Sequence, residues 1–152
     1  MCIFSIPDCS IKVTEEREKM MGGKKIRLLL VENGKIDQMA FERYIKNKKL
    51  PYDYSIAGSI AEAKEIIKSI SFDVIIVDYM LGDGTSFEPV DQFKDLPVIV
   101  TTGTGNEEVA VTAMKRGAYD YLIKDPQGYY LTILPVTVEK ALKHKEAENE
   151  LA

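Results

Sequence analysis

From Lys25 onward, unbroken apolar runs of strand length alternate with segments of helical period, and this alternation narrows the fold more than any other feature. Ile26–Val31, Val74–Val77 and Val98–Val100 are apolar almost throughout, the mark of strands buried on both faces. Tyr119–Ile123 reads as a further strand, and Tyr52–Ala57 alternates only weakly, which suits a strand nearer an edge. Between them lie helical patterns. One starts at about Asp37, with Ala40, Phe41, Tyr44 and Ile45 in one apolar stripe. The next opens on Ser59 and Glu62 at capping-box spacing and buries Ile60, Ala63, Ile66, Ile67 and Ile70. Phe87, Val90 and Phe93 suggest a short third helix within Thr85–Asp95, with Pro89 confined to its first turn. Glu107–Arg116 carries acid at its start, base at its end and Gly117 just beyond. The last helix is expected from about Ile133, with Pro135 in its first turn. Five strands alternating with five helices predict an α/β, doubly wound parallel sheet, and right-handed crossovers make order 2-1-3-4-5 the most economical.

The chain has 152 residues, enough for one domain with short extensions. Residues 25–145 are expected to form that domain, and 146–152 the charged end of the last helix, of the kind that serves as a linker. Residues 1–24 lack a sustained period. They read as an extension: either a flexible or partner-binding tail, or a stretch upstream of a true start at Met20 or Met21. A net charge of −4 and a pI near 5.1 argue against nucleic acid as a direct partner. Lys46, Lys48 and Lys49 cluster, but as the solvated end of a helix. No apolar stretch approaches the ~18 residues of a membrane span, and no secretory signal is visible. Cys2 and Cys9 lie outside the patterned region and form no C-x-x-C, which fits a cytoplasmic, thiol-reduced protein.

The strand ends carry the chemistry. Val74–Val77 runs into Asp78, Leu28–Val31 into Glu32 and Asn33, Val98–Val100 into Thr101 and Thr102, and Leu122–Ile123 into Lys124. In order 2-1-3-4-5 the site lies outside the carboxyl ends of the strands, where the first and third adjoin. Glu32, Asn33, Asp78, Thr102 and Lys124 are therefore expected in one cleft. Such an oxygen-rich pocket suits Mg²⁺, while a lysine and a threonine hydroxyl suit phosphoryl oxygens. An aspartate there can act as a nucleophile and form an acyl phosphate. Taken singly, each residue has a plainer role: a lone Asp after a strand is most often a cap. Four coincident strand ends are harder to explain that way. Rival sites fail on their residues. Glu32-Asn33-Gly34 would repel the phosphate of a flavodoxin-type FMN. Gly103-Thr104-Gly105 lacks the third glycine of a dinucleotide fingerprint, Glu108 standing there, and no G-x-x-x-x-G-K-[ST] is present. Haloacid-dehalogenase-type phosphatases need a second Asp where this chain has Met80. His144, the only histidine, sits among charged residues as a surface side chain would.

From about Lys25 to Lys145 the chain resembles the receiver domain of two-component response regulators. The matching segments are Leu28–Asn33, Phe72–Gly84, Pro97–Gly103 and Gly117–Lys124. The resemblance implies a flavodoxin-like (βα)5 fold and a signalling switch rather than a conventional enzyme. It implies that Asp78 accepts a phosphoryl group from a phosphohistidine on a sensor histidine kinase or phosphotransfer protein. Glu32, the residue at Asn33, Asp78 and the backbone carbonyl of Met80 would organise Mg²⁺. Lys124 and Thr102 would bind phosphoryl oxygens, Tyr121 would be the switching aromatic, and Met80 and Thr104 would tune phosphoryl lifetime. The surface of the fourth predicted helix, the fifth strand and the last helix would change and could support a homodimer. Three departures stand out. Asn33 replaces a usual acidic metal ligand, which keeps open a pseudo-receiver that works by binding without stable phosphorylation. The span from Asp78 to Thr102 is short by about one helical turn. The usual Lys-Pro is Lys124-Asp125-Pro126, so no cis X-Pro bond can directly follow the lysine.

Overall fold

The computed structural model describes residues 25–81, 84–85, 95–103 and 107–151. The N-terminal extension, most of the expected third helix and Thr104 lie outside the described residues. Five long strands, β1 (Ile26–Val31), β2 (Tyr52–Ala57), β3 (Val74–Asp78), β4 (Val98–Gly103) and β5 (Asp120–Lys124), form one parallel sheet in spatial order 2-1-3-4-5. A short antiparallel pair, Met80–Leu81 with Gly84–Thr85, follows β3. Among the described residues the helices are α1 (Lys35–Lys48), α2 (Ile60–Ser69), α3 (Glu107–Lys115) and α4 (Tyr130–Leu151). None is long and apolar enough to cross a membrane.

Residue parity divides the core. Leu28, Leu30, Val74, Ile76, Ile99 and Leu122 leave one face of the sheet and pack with Phe41 and Ile45 of α1 and with Leu134, Val138 and Ala141 of α4. Leu29, Val31, Ile75, Val77, Val98 and Val100 leave the other, against Ile60 and Ala63 of α2 and Ala113 of α3. Successive strand side chains must alternate, so a sheet covered on both sides demands apolar residues at every position. The weakly alternating β2 is indeed an edge strand.

Local chemistry sets the helix ends. Ser59 caps α2 by accepting the Glu62 N–H at 3.1 Å, and Glu62 reaches back to the Gly58 N–H at 2.7 Å. Gly117, at φ 110, follows α3 in the left-handed region that glycine enters freely. Two helix starts differ from the sequence expectation. The first helix begins at Lys35, two residues before Asp37, because Gly34 caps it with backbone geometry and no side-chain signal. The last begins at Tyr130, three residues before Ile133. Asp125 explains this: its carboxylate accepts the N–H groups of Tyr129 and Tyr130, both at 2.9 Å. Pro135 consequently falls in the second turn and leaves the Leu131 carbonyl without its i+4 donor. The residue that separates Lys124 from Pro126 is therefore the one that starts the helix.

Candidate functional site

Sheet register brings the first two site residues together. Val31 pairs with Val77, so Glu32 and Asp78, the next residues on β1 and β3, emerge side by side. Both side chains share the parity of Leu30 and Ile76 and point to the face covered by α1 and α4. Lys124, two residues beyond Leu122, ends β5 with the same parity. Its ammonium lies 2.8 Å from Glu32 Oε1 and 3.4 Å from Asp78 Oδ1. A third carboxylate, Asp37 Oδ2 from the first turn of α1, lies 2.9 Å from the same nitrogen.

Glu32 and Asp78 are both buried, and the Lys124 side chain is only 16% exposed. Burial alone would push the lysine down, but hydrogen bonds to Glu32 and Asp37 and the charge of Asp78 outweigh it and hold the ammonium above the ordinary lysine range. Glu32 is shifted upward as well, which for a carboxyl disfavours the charged form. Burial raises its carboxyl above the usual glutamate value, the Lys124 hydrogen bond recovers part of that, and the Asp78 charge adds to the rise. The loop is shaped to hold Glu32: Gly34 N–H donates to Glu32 Oε2 at 3.1 Å, and Gln38 Nε2 donates to the Glu32 carbonyl at 2.5 Å. A Cβ at position 34 would approach Glu32 Oε2 to 3.2 Å, so glycine keeps this close passage open. Tyr130 closes the site from α4, and its hydroxyl is pushed up to about 12, by burial first and then by the charge of Asp37.

The other expected site residues are placed differently. Asn33 is exposed, and its side chain makes no hydrogen bond to the described residues. Thr102 is buried, but its hydroxyl donates to the Gly103 carbonyl at 3.0 Å. Alternation gives it the parity of Val98 and Val100, while its neighbour Thr101, paired with Asp78, lines the cavity beside Glu32 and Lys124. Tyr121 is 39% exposed on β5. Met80 belongs to the short antiparallel pair, and Thr104 is outside the described residues. Sequence reasoning missed Asp37, Tyr130 and Thr101. Asp37 carried a usable signal, since an acid in the first turn after β1 stands at the same end of the sheet as Glu32. Tyr130 carried none, because its approach depends on where α4 starts.

The donor chemistry fits a hard divalent cation. Two buried carboxylates share one mouth with an amide at position 33, and oxygen ligands of this kind suit Mg²⁺. Among the described residues, no three acidic or thiol or imidazole groups meet closely enough to enclose an ion unaided. Lys124 is the counter-charge in this arrangement.

The family pattern of the response regulator receiver domain matches residues 28–132. Among similar proteins, the transcriptional regulatory protein ZraR of Escherichia coli is 34% identical over 97 residues, 61% of this chain and 21% of that protein. The acid tolerance regulatory protein ActR of Sinorhizobium medicae is 31% identical over 118 residues, 74% of this chain and 59% of that protein. The chain thus spans about a fifth of the length of the first relative. A receiver domain from Clostridium thermocellum superposes with a TM-score of 0.70 at 22% identity, covering 80% of this chain and 98% of that one. The beryllofluoride-activated NtrC4 receiver domain dimer gives 0.64 at 29% identity, covering 76% of this chain and 98% of that one. The strand order predicted from periodicity is also the order of these solved domains. A match that runs from β1 to the start of α4 makes the chain a member of the response regulator receiver domain family, the receiving half of two-component signalling.

Proposed function

We propose that Asp78 is the phosphoacceptor of this receiver. The observation that carries the reading is the buried Asp78 carboxylate at the sheet's mouth, 3.4 Å from an ammonium held protonated by three acids. One carboxylate oxygen of Asp78 attacks the phosphorus of a phosphohistidine on a sensor kinase or phosphotransfer protein. The P–N bond breaks, the electron pair leaves with the imidazole, and a P–O bond forms the acyl phosphate. Lys124 meets the incoming phosphoryl oxygens with a charge that burial does not remove. Glu32, Asn33, Asp78 and the Met80 carbonyl would hold Mg²⁺, which when bound neutralises charge on the transferred group. Thr102 and Tyr121 would relay the change. Val111 and Met114 on α3, Tyr121 on β5, and Ile133 and Val136 on α4 are exposed apolar side chains and would form the responsive surface, for a second copy or another partner.

Incubation of the whole chain with acetyl phosphate and Mg²⁺ should add one phosphoryl group, read by intact mass and labile to base. Asp78→Asn should abolish it. Label that persists in Asp78→Asn, or maps elsewhere, refutes the assignment. A chain that binds its kinase yet takes up no phosphoryl group would favour a receiver working by binding alone.

A further inference from the structure

Three carboxylates converge on the Lys124 ammonium, one more than the strand ends supply. Asp37 reaches it from α1, and its oxygen is nearer to Lys124, at 2.9 Å, than Asp78 is at 3.4 Å. Asn33, where the family usually has an acid, is exposed and turned to no described partner. A second observation points into the same space. Tyr130 is 9% exposed, its hydroxyl makes no hydrogen bond to any described residue, and it lines one cavity with Glu32, Asp37 and Lys124. A buried hydroxyl without a protein partner, in a cavity of about 10 Å³, signals a polar occupant the size of one water molecule beside Asp37 and Lys124.

We propose that Asp37 is a positioning residue of the cation pocket, supplying the negative charge that Asn33 lacks and sharing the hold on Lys124. The inference rests on the receiver chemistry proposed above. Glu32, Asp37 and Asp78 against Lys124 are three negative charges and one positive, a formal charge of −2, which one divalent ion neutralises. Without Asp37 the pocket carries −1. The Asp37 side chain is 42% exposed, so solvent screens it and the expected effect is about tenfold in affinity rather than far more.

Calorimetric titration of the whole chain with MgCl₂ tests this in four proteins: the parent, Asp37→Asn, Asn33→Asp and the double variant. Asp37→Asn should weaken Mg²⁺ binding by about tenfold, and Asn33→Asp should recover most of that loss. The gain from Asn33→Asp should be at least about threefold larger in the Asp37→Asn background than in the parent, because the two acids replace one another. Equal gains in both backgrounds, or unchanged affinity in Asp37→Asn, overturn the proposal and leave Asp78 phosphorylation standing. A parent that binds no Mg²⁺ overturns the receiver chemistry and the proposal together. Should Asp37→Asn fail to fold by circular dichroism, Asp37→Glu takes its place. It keeps the charge and should bind within about threefold of the parent, and a tenfold loss would overturn the proposal.

Discussion

Lys124 is the residue on which most of the site's energetics depend. It neutralises Glu32 and Asp78, two carboxylates that the fold buries at the end of apolar strands. Removing one member of a buried charge group costs more than the group contributes, since the remaining charges stay desolvated. Lys124→Met should therefore destabilise the protein by about 3 kcal/mol near pH 7. The pH dependence has a definite sign. Glu32 holds its proton more tightly folded than unfolded, so its ionisation costs stability as pH rises from 4.5 through its folded value. Loss of Lys124 raises that value further, so the penalty of the variant should shrink as pH falls to about 4. In the parent, the Lys124 contribution is fully present below 10.5 and is lost only as pH rises through the elevated folded value. Urea denaturation of both proteins at acid and neutral pH checks this, and a penalty that stays constant with pH would rule out the charge explanation.

At the scale of single elements, two caps of different chemistry allow a controlled comparison. Ser59 caps α2 with a neutral hydroxyl, and Ser59→Ala should cost about 1 kcal/mol at any pH between acid and neutral. Asp125 caps α4 with a carboxylate whose affinity for protons is lowered, first by the Tyr129 N–H and then by the Tyr130 N–H, burial opposing. Its contribution is present above 3.8 and is lost as pH falls through the lower folded value. Asp125→Ala should lower the melting temperature at neutral pH, and the gap to the parent should close in acid. Thermal melts of both variants at two pH values separate the cases. The Asp125 cap also orients Tyr130, which carries its ring into the site, so this variant should disturb the pocket as well as the helix.

At the scale of the whole molecule, the sheet joins a charged mouth to an exposed apolar surface. Thr102 and Tyr121 lie on neighbouring strands, where Thr102 pairs with Ile123 and Val100 with Tyr121. In the proposed switch a phosphoryl group on Asp78 draws the Thr102 hydroxyl from the Gly103 carbonyl, and the space it vacates admits the Tyr121 ring. Thr102→Ala should then leave phosphorylation within about threefold of the parent while removing any phosphorylation-dependent change in self-association, read by light scattering with and without acetyl phosphate. A Thr102→Ala protein that still responds would show that the surface is reached by another route.

Much of this was legible in one dimension. The double-faced burial of β1, β3 and β4 follows from runs that are apolar at nearly every position, with the exposed Arg27 at the start of β1 the exception, and the polar residues that stop those runs mark one end of the sheet. Glu32, Asp78 and Lys124 could be nominated together because strand ends of a parallel sheet share a side. The partners within the cleft could not be nominated. Lys124 lies 92 residues from Glu32 and 87 from Asp37, and no local pattern reports which rotamers converge across such distances. Asp37 read as an ordinary acid near a helix start, yet its carboxylate stands 2.9 Å from the Lys124 ammonium. Periodicity states which face a side chain leaves by. Which charge it meets there depends on how the helices dock over that face, and only the packed tertiary structure decides it.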